Sequence, residues 1–205
     1  MGHAKSYFET LHRVGDAATA SDRAGASMPL QAAVDWAMET ARGAHAAGNK
    51  LMFVGNGGSA AIASHMAIDY SKNGGMRSLA FNDGASLTCL GNDLGYDQVF
   101  AKQVELHARS GDLLIAISSS GRSANILNAV SAARDRACRV LTLSGFTPDN
   151  PLRSLGDVNL YVPSGEYGFV ELTHLALCHC VLDLACGWRP DAADQEEPAL
   201  EARHG

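Results

Sequence analysis

Apolar positions along this chain fall into short runs separated by stretches with helical spacing. Leu30, Val34, Ala37, Met38 and Ala41 recur at intervals of three and four, the spacing of one helix face. The pattern predicts helix over residues 6–47, broken into two helices near Gly25. Ser27 offers a cap for the second, Pro29 suits its first turn, and Gly48-Asn49 ends it. The period then changes. Residues 50–54 form an apolar run that reads as a strand ending in Gly55-Asn56-Gly57-Gly58-Ser59, with helix over 60–72. A second strand is predicted at 78–81, then helix at 97–108 and a third strand at 112–117. Helix at 123–136 separates this from a strand at 139–143, and a fifth strand at 158–162 stops at Pro163. A strongly apolar helix over 171–186 follows. Strands alternating with helices predict an α/β fold, a three-layer sandwich with a five-stranded parallel sheet flanked by helices. The division expected is a helical arm at 1–47, an α/β domain at 48–188 and a flexible acidic tail at 189–205.

Composition narrows the class. A chain of 205 residues with 46% hydrophobic and 19% charged residues has the make-up of a soluble domain with a real core. No apolar run approaches the ~20 residues of a membrane span, and residues 1–7 lack the apolar segment of a secretory signal. A net charge of −6 argues against bulk binding to nucleic acid or to an anionic membrane. The five cysteines (Cys89, Cys138, Cys178, Cys180 and Cys186) are odd in number and include no Cys-x-x-Cys pair. Free thiols in a reducing cytoplasm are therefore expected.

Two strand ends carry Gly/Ser-rich loops that run directly into helices. The first holds Asn56, Gly57, Gly58 and Ser59; the second holds Ser118, Ser119, Ser120 and Ser123 around Gly121 and Arg122. Glycines let the backbone approach an anion, helix N–H groups attract it, and serine hydroxyls donate without adding charge. One such loop alone reads equally as a tight turn with a helix cap. Two at equivalent strand ends point to a phosphate cradle. Neither loop is a Walker A or a Gly-x-Gly-x-x-Gly motif, which disfavours the standard nucleotide folds.

Two helices carry groups able to bind metal or move protons. His65 and Asp69 are four residues apart and so share one helix face; Glu171, His174 and His179 sit on the last helix, with Cys178 and Cys180 beside them. These side chains could hold a divalent ion, or act without one as base and acid. Spacing alone is explained at least as well by a surface ion pair and a core histidine. Cys178 and Cys180 read as packing residues. Arg122 and, more weakly, Lys72 read either as phosphate partners or as solvated cations.

Residues 55–61 (Gly-Asn-Gly-Gly-Ser-Ala-Ala), 91–93 (Gly-Asn-Asp) and 117–125 (Ile-Ser-Ser-Ser-Gly-Arg-Ser-Ala-Asn) together resemble the sugar isomerase (SIS) domain family. Within it, they resemble the phosphoheptose isomerase (sedoheptulose 7-phosphate isomerase) branch, over residues 32–183. The resemblance implies an aldose–ketose isomerase acting on a phosphosugar through an enediol(ate), converting sedoheptulose 7-phosphate to D-glycero-D-manno-heptose 7-phosphate. It implies no redox cofactor, and a cytoplasmic homotetramer with its sites at subunit interfaces. It assigns sugar and phosphate contacts to Asn56, Gly57, Gly58, Ser59, Asn92, Asp93, Ser118, Ser119, Ser120 and Ser123.

The same resemblance implies Zn²⁺ on His65, Asp69, Glu171 and His179. Asp69 stands at the usual general-base position, His179 at the partner-acid position, and Glu171 is a rival base. Two of these positions depart from the family pattern. Asp69 replaces a glutamate and is shorter by one methylene, about 1.5 Å. Glu171 replaces a glutamine, which would leave zinc with two carboxylates and two imidazoles formally neutral. A non-catalytic SIS module, such as the replication-initiator-associating proteins, is the alternative. Those proteins lack the histidine at the His179 position, so His65, Asp69 and His179 together favour an enzyme. An isomerase for another phosphosugar is also open.

Overall fold

The computed structural model describes residues 2–190; all but the first two residues of the acidic tail expected at 189–205 lie outside the described residues. In chain order the elements are α1 (His3–Asp16), β1 (Thr19–Asp22), β2 (Ser27–Met28), α2 (Leu30–Ala46), β3 (Leu51–Gly55) and α3 (Gly58–Lys72). There follow β4 (Ser78–Ala80), α4 (Gly84–Leu94), α5 (Ala101–His107), β5 (Leu113–Ser118), α6 (Ala124–Asp135), β6 (Arg139–Ser144), β7 (Val158–Tyr161) and α7 (Tyr167–Ala185). Short 3₁₀ turns at Tyr96–Gln98 and Pro151–Ser154 precede α5 and β7.

The sheet has seven strands in the order β2-β1-β7-β6-β5-β3-β4. Strands β3 to β7 are parallel, as the alternation predicts. The other two correct the sequence reading. Residues 19–28 are not a helix break but a hairpin, with β1 antiparallel to both β2 and β7. Gly25 serves this hairpin with φ +81°, a left-handed conformation that costs glycine little. Ser27 belongs to β2, and Pro29 itself holds the cap position of α2. The sheet is thus mixed: the hairpin lies beside β7 of the expected five parallel strands, β4 forms the other edge, and β6, β5 and β3 make up the centre.

Both faces of that centre are buried, and the strand period divides them. Leu51, Phe53, Leu113, Ile115, Leu141 and Leu160 face a core shared with α2, α3 and α7. Met52, Val54, Leu114, Ala116 and Val140 face the opposite core, built with α5 and α6. Alternation on a two-sided sheet is why these strands read as near-continuous apolar runs. At ~25 cal/mol per Å² of buried apolar surface, such side chains are worth ~1.5–3 kcal/mol each and hold the strand ends in register.

Helix α7 joins short apolar runs into a longer element than any one of them. It has 19 residues and a hydropathy of 1.4, a length and composition that would cross a membrane. Here it packs on α2 and α3 and buries Val170, Leu177, Val181 and Leu182.

Register sets the site. Gly55 pairs with Ile117, and Ser118 with Ser144, so the loops after β3 and β5 emerge side by side. The chain leaves β3 toward β4 on one side and continues through β5 on the other. That reversal makes the crevice between β3 and β5 a topological switch point, where α/β sheets bind ligands.

Candidate active site

The two loops and the first turn of α7 enclose a cavity of about 320 Å³. Asn56, Gly57, Gly58 and Ser59 line it from the first loop, and Ser118, Ser119, Ser120 and Ser123 from the second. Ile117 closes its base, and Tyr167 and Glu171 enter from α7. The lining is mostly neutral donors: hydroxyls and loop N–H groups. Gly57 takes φ +55° at the start of α3, a turn that directs the helix N-terminus at the cavity. Gly58 lies against Glu171: a Cβ there would meet its carboxylate, which would have to move aside.

The serine loop is held from behind and open in front. Ser118 Oγ lies 3.3 Å from Ser123 Oγ and accepts from the Gly121 N–H at 3.2 Å. Ser119 is different, with a buried hydroxyl that has no hydrogen-bond partner. An unpaired buried hydroxyl costs free energy unless a ligand or water completes it. On the first loop, Asn56 and Asn125 exchange reciprocal amide hydrogen bonds at 2.9 Å, and Tyr96 Oη donates to Asn56 Oδ1 at 3.1 Å. The Asn56 side chain therefore ties the loop to α6.

Three of the four expected metal residues come together. His65, Asp69 and His179 lie together, their ligand atoms all within 4.8 Å of one another. Asp69 Oδ2 is 3.5 Å from His65 Nε2, and the His65 and His179 ring centroids are 5.4 Å apart. Glu171 is not in this group; its carboxylate turns to Gly58 and the cavity. Eight residues at 1.5 Å rise put Glu171 and His179 about 12 Å apart along α7.

Other expected residues go elsewhere. Asn92 and Asp93 sit on α4, where Asn92 donates to Asp93 at 2.8 Å; neither lines the cavity. Arg122 pairs with Asp149 at 3.2 Å, away from the serine hydroxyls. His174 is fully buried, with Nε2 3.0 Å from the Ser144 carbonyl oxygen. Burial lowers its pKa to about 4, so the ring is neutral and Nε2–H donates to that carbonyl. Burial pushes the Cys178 thiol up to about 12, which suits a packing residue and not a metal ligand. All five cysteines are free.

Sequence reasoning missed Tyr167, the first residue of α7. It stands one turn before Glu171, and that i,i+4 spacing was the available signal.

Known proteins share this arrangement. The family model described as "SIS domain" matches residues 17–145. A phosphoheptose isomerase from Aliarcobacter butzleri is 40% identical over 162 residues, covering 76% of this chain and 83% of that protein. The chain belongs to the phosphoheptose isomerase family. Solved phosphoheptose isomerases agree in fold. The Neisseria gonorrhoeae structure superposes with a TM-score of 0.77 at 31% identity, covering 89% of this chain and 97% of that one. That from Francisella tularensis gives 0.76 at 30% identity.

Proposed function

We propose that this chain interconverts the ketose and aldose forms of a seven-carbon sugar phosphate, turning sedoheptulose 7-phosphate into D-glycero-D-manno-heptose 7-phosphate. The observation that carries the reading is the cavity itself. Eight separately predicted loop residues line one space, and the buried Ser119 hydroxyl there has no protein partner. Neutral donors and helix N–H groups bind a phosphate without fixing a counter-charge, which suits a substrate that must also leave. Phosphate held in the serine loop positions the far end of the sugar for reaction.

His65, Asp69 and His179 fit a divalent metal. Two imidazoles and a carboxylate are a donor set used by catalytic zinc, which keeps a position open for substrate. These residues would hold the ion, which would supply Lewis-acid chemistry to the sugar carbonyl. His179 is the group we assign to exchange a proton with a sugar oxygen.

A homotetramer in the cytoplasm completes this reading. Exposed Tyr7 and Phe8 on α1, Ile68 on α3 and Leu172 on α7 give subunits apolar surface to share. Unpaired cysteines suit a reducing compartment.

The test is NMR of sedoheptulose 7-phosphate in D₂O with the purified protein, with Zn²⁺ or with chelator. Formation of an aldoheptose 7-phosphate, lost with chelator, is the expected result. Binding of the phosphosugar without conversion or deuterium uptake under either condition would replace the enzyme with a sensing module.

A further inference from the structure

Four buried polar side chains stand beside the serine loop without lining the cavity: Thr142 and Ser144 on β6, Asn159 on β7, and Asn150 at the head of the 3₁₀ turn between them. Asn159 Nδ2 donates to Thr142 Oγ1 at 2.9 Å and to Ser144 Oγ at 3.1 Å. Ser144 Oγ also accepts from Asn150 Nδ2 at 3.3 Å. The same Asn150 nitrogen donates to the carbonyls of Gly145 and Thr147 at 3.2 and 2.8 Å. The donor side of Asn150 is thus fully used by the end of β6 and the loop after it. Its acceptor side is not. Oδ1 is buried, has no hydrogen-bond partner, and lies against the Cα of Gly121, where a Cβ would collide with the whole amide.

Gly121 is the turning point of the serine loop, at φ +62°. Its N–H is held by Ser118, through the carbonyl at 3.0 Å and the hydroxyl at 3.2 Å. Its carbonyl accepts from the Leu152 N–H at 3.2 Å. Asn150 closes the remaining side. An unpaired buried carbonyl costs free energy, and this one fills the space against the residue that joins Ser118, Ser119 and Ser120 to Ser123.

We infer that Asn150 is a positioning residue for the substrate phosphate. Tethered to β6 by its amide nitrogen, it sets the place of Gly121, and through Gly121 the serine hydroxyls that face the cavity. Asn150 itself touches no substrate. The inference rests on reading that cavity as the phosphate site.

The test compares Asn150→Ala, Asn150→Ser, Gly121→Ala and the double substitution Asn150→Ala with Gly121→Ala. Calorimetry gives the Kd of inorganic phosphate, kinetics with sedoheptulose 7-phosphate give KM and kcat, and thermal melts report folding. Asn150→Ala is expected to weaken phosphate binding about tenfold, the worth of one hydrogen bond to a charged group. KM should rise in parallel and kcat should stay within twofold; Asn150→Ser should fall between Asn150→Ala and wild type. Gly121→Ala drives its methyl group into the Asn150 amide and should weaken binding further. With alanine at both positions that collision is gone, so the two losses should not add. Asp112→Ala, at the other end of β5, is the control for lost stability and should leave the phosphate Kd unchanged. Wild-type phosphate affinity in both Asn150 variants, or losses that add in the double variant, would overturn the inference and leave the cavity reading standing. Failure of both Asn150 variants to fold would make the residue structural and overturn it as well. A wild type that binds no phosphate would overturn the cavity reading too. Phosphate binding without sugar conversion would sink the isomerase reading alone, with the Kd comparison still deciding this one.

Discussion

Asp112 and Ser119 lie at opposite ends of the same strand region and are both buried polar residues. Asp112, at the amino-terminal end, is fully satisfied. Its carboxylate accepts from the Lys50 N–H at 2.9 Å, the Arg109 N–H at 2.8 Å and the Lys50 ammonium at 2.5 Å. Ser119, just past the carboxyl-terminal end, has a hydroxyl with nothing to bond. Polarity alone does not separate a structural site from a functional one; completeness does. Where the protein supplies every partner, the group stabilises the fold. Where it withholds one, a ligand finishes the job.

The contrast breaks first at Asp112. Asp112→Ala leaves the Lys50 ammonium, only 16% exposed, without its anion. Removing one partner of a buried pair costs about 3–5 kcal/mol. Urea unfolding should show that loss, with KM for the phosphosugar unchanged; an unaltered midpoint would show that this end is not structural.

Next comes His174, which ties α7 to the end of β6 through the Ser144 carbonyl. Its folded pKa of about 4 lies below the ordinary 6.5, so the unfolded chain binds the extra proton first. Its contribution is complete above pH 6.5 and is lost as pH falls toward 4, by roughly 3 kcal/mol. Stability measured across that window should fall with acid, and His174→Gln should flatten this part of the slope. An identical slope in the variant would remove His174 from the account.

The smallest effect sharpens the comparison. Ser119→Ala deletes a hydroxyl that the folded protein leaves unpaired, so Tm should hold or rise slightly. Phosphate affinity should fall about tenfold, the loss of one hydrogen bond to a charged group. Calorimetry with inorganic phosphate checks it; a lower Tm with unchanged affinity would reverse the assignment.

The sequence made the central sheet legible because its strands are buried on both faces and leave unbroken apolar runs. The loops were legible because glycine and serine at strand ends have few other uses in such numbers. The hairpin was not. Thr19–Asp22 is short and mixed in character, and its strand state is decided by β7, far along the chain. Helix α4 passed unnoticed although Leu87, Leu90 and Leu94 recur at helical spacing; none of its residues is fully buried, and Gly84 and Gly91 interrupt the stretch. For Glu171, helical spacing gave the face of α7 but not which of two neighbours the side chain joins. That choice depends on the space at Gly58, which only the folded backbone reveals.

The hairpin has a consequence for keeping the molecule apart from its own kind. Strand β7 is buried along its whole length, and β1 occupies its outer rim. Without residues 19–28, that rim would offer a row of free amides and carbonyls beside apolar side chains, a template for strand-to-strand aggregation. The opposite border of the sheet is β4, only three residues long, too brief to recruit a foreign strand well. The small appendage that sequence reading mistook for helix thus guards the fully buried β7 border, and its loss should be felt first as insolubility during synthesis.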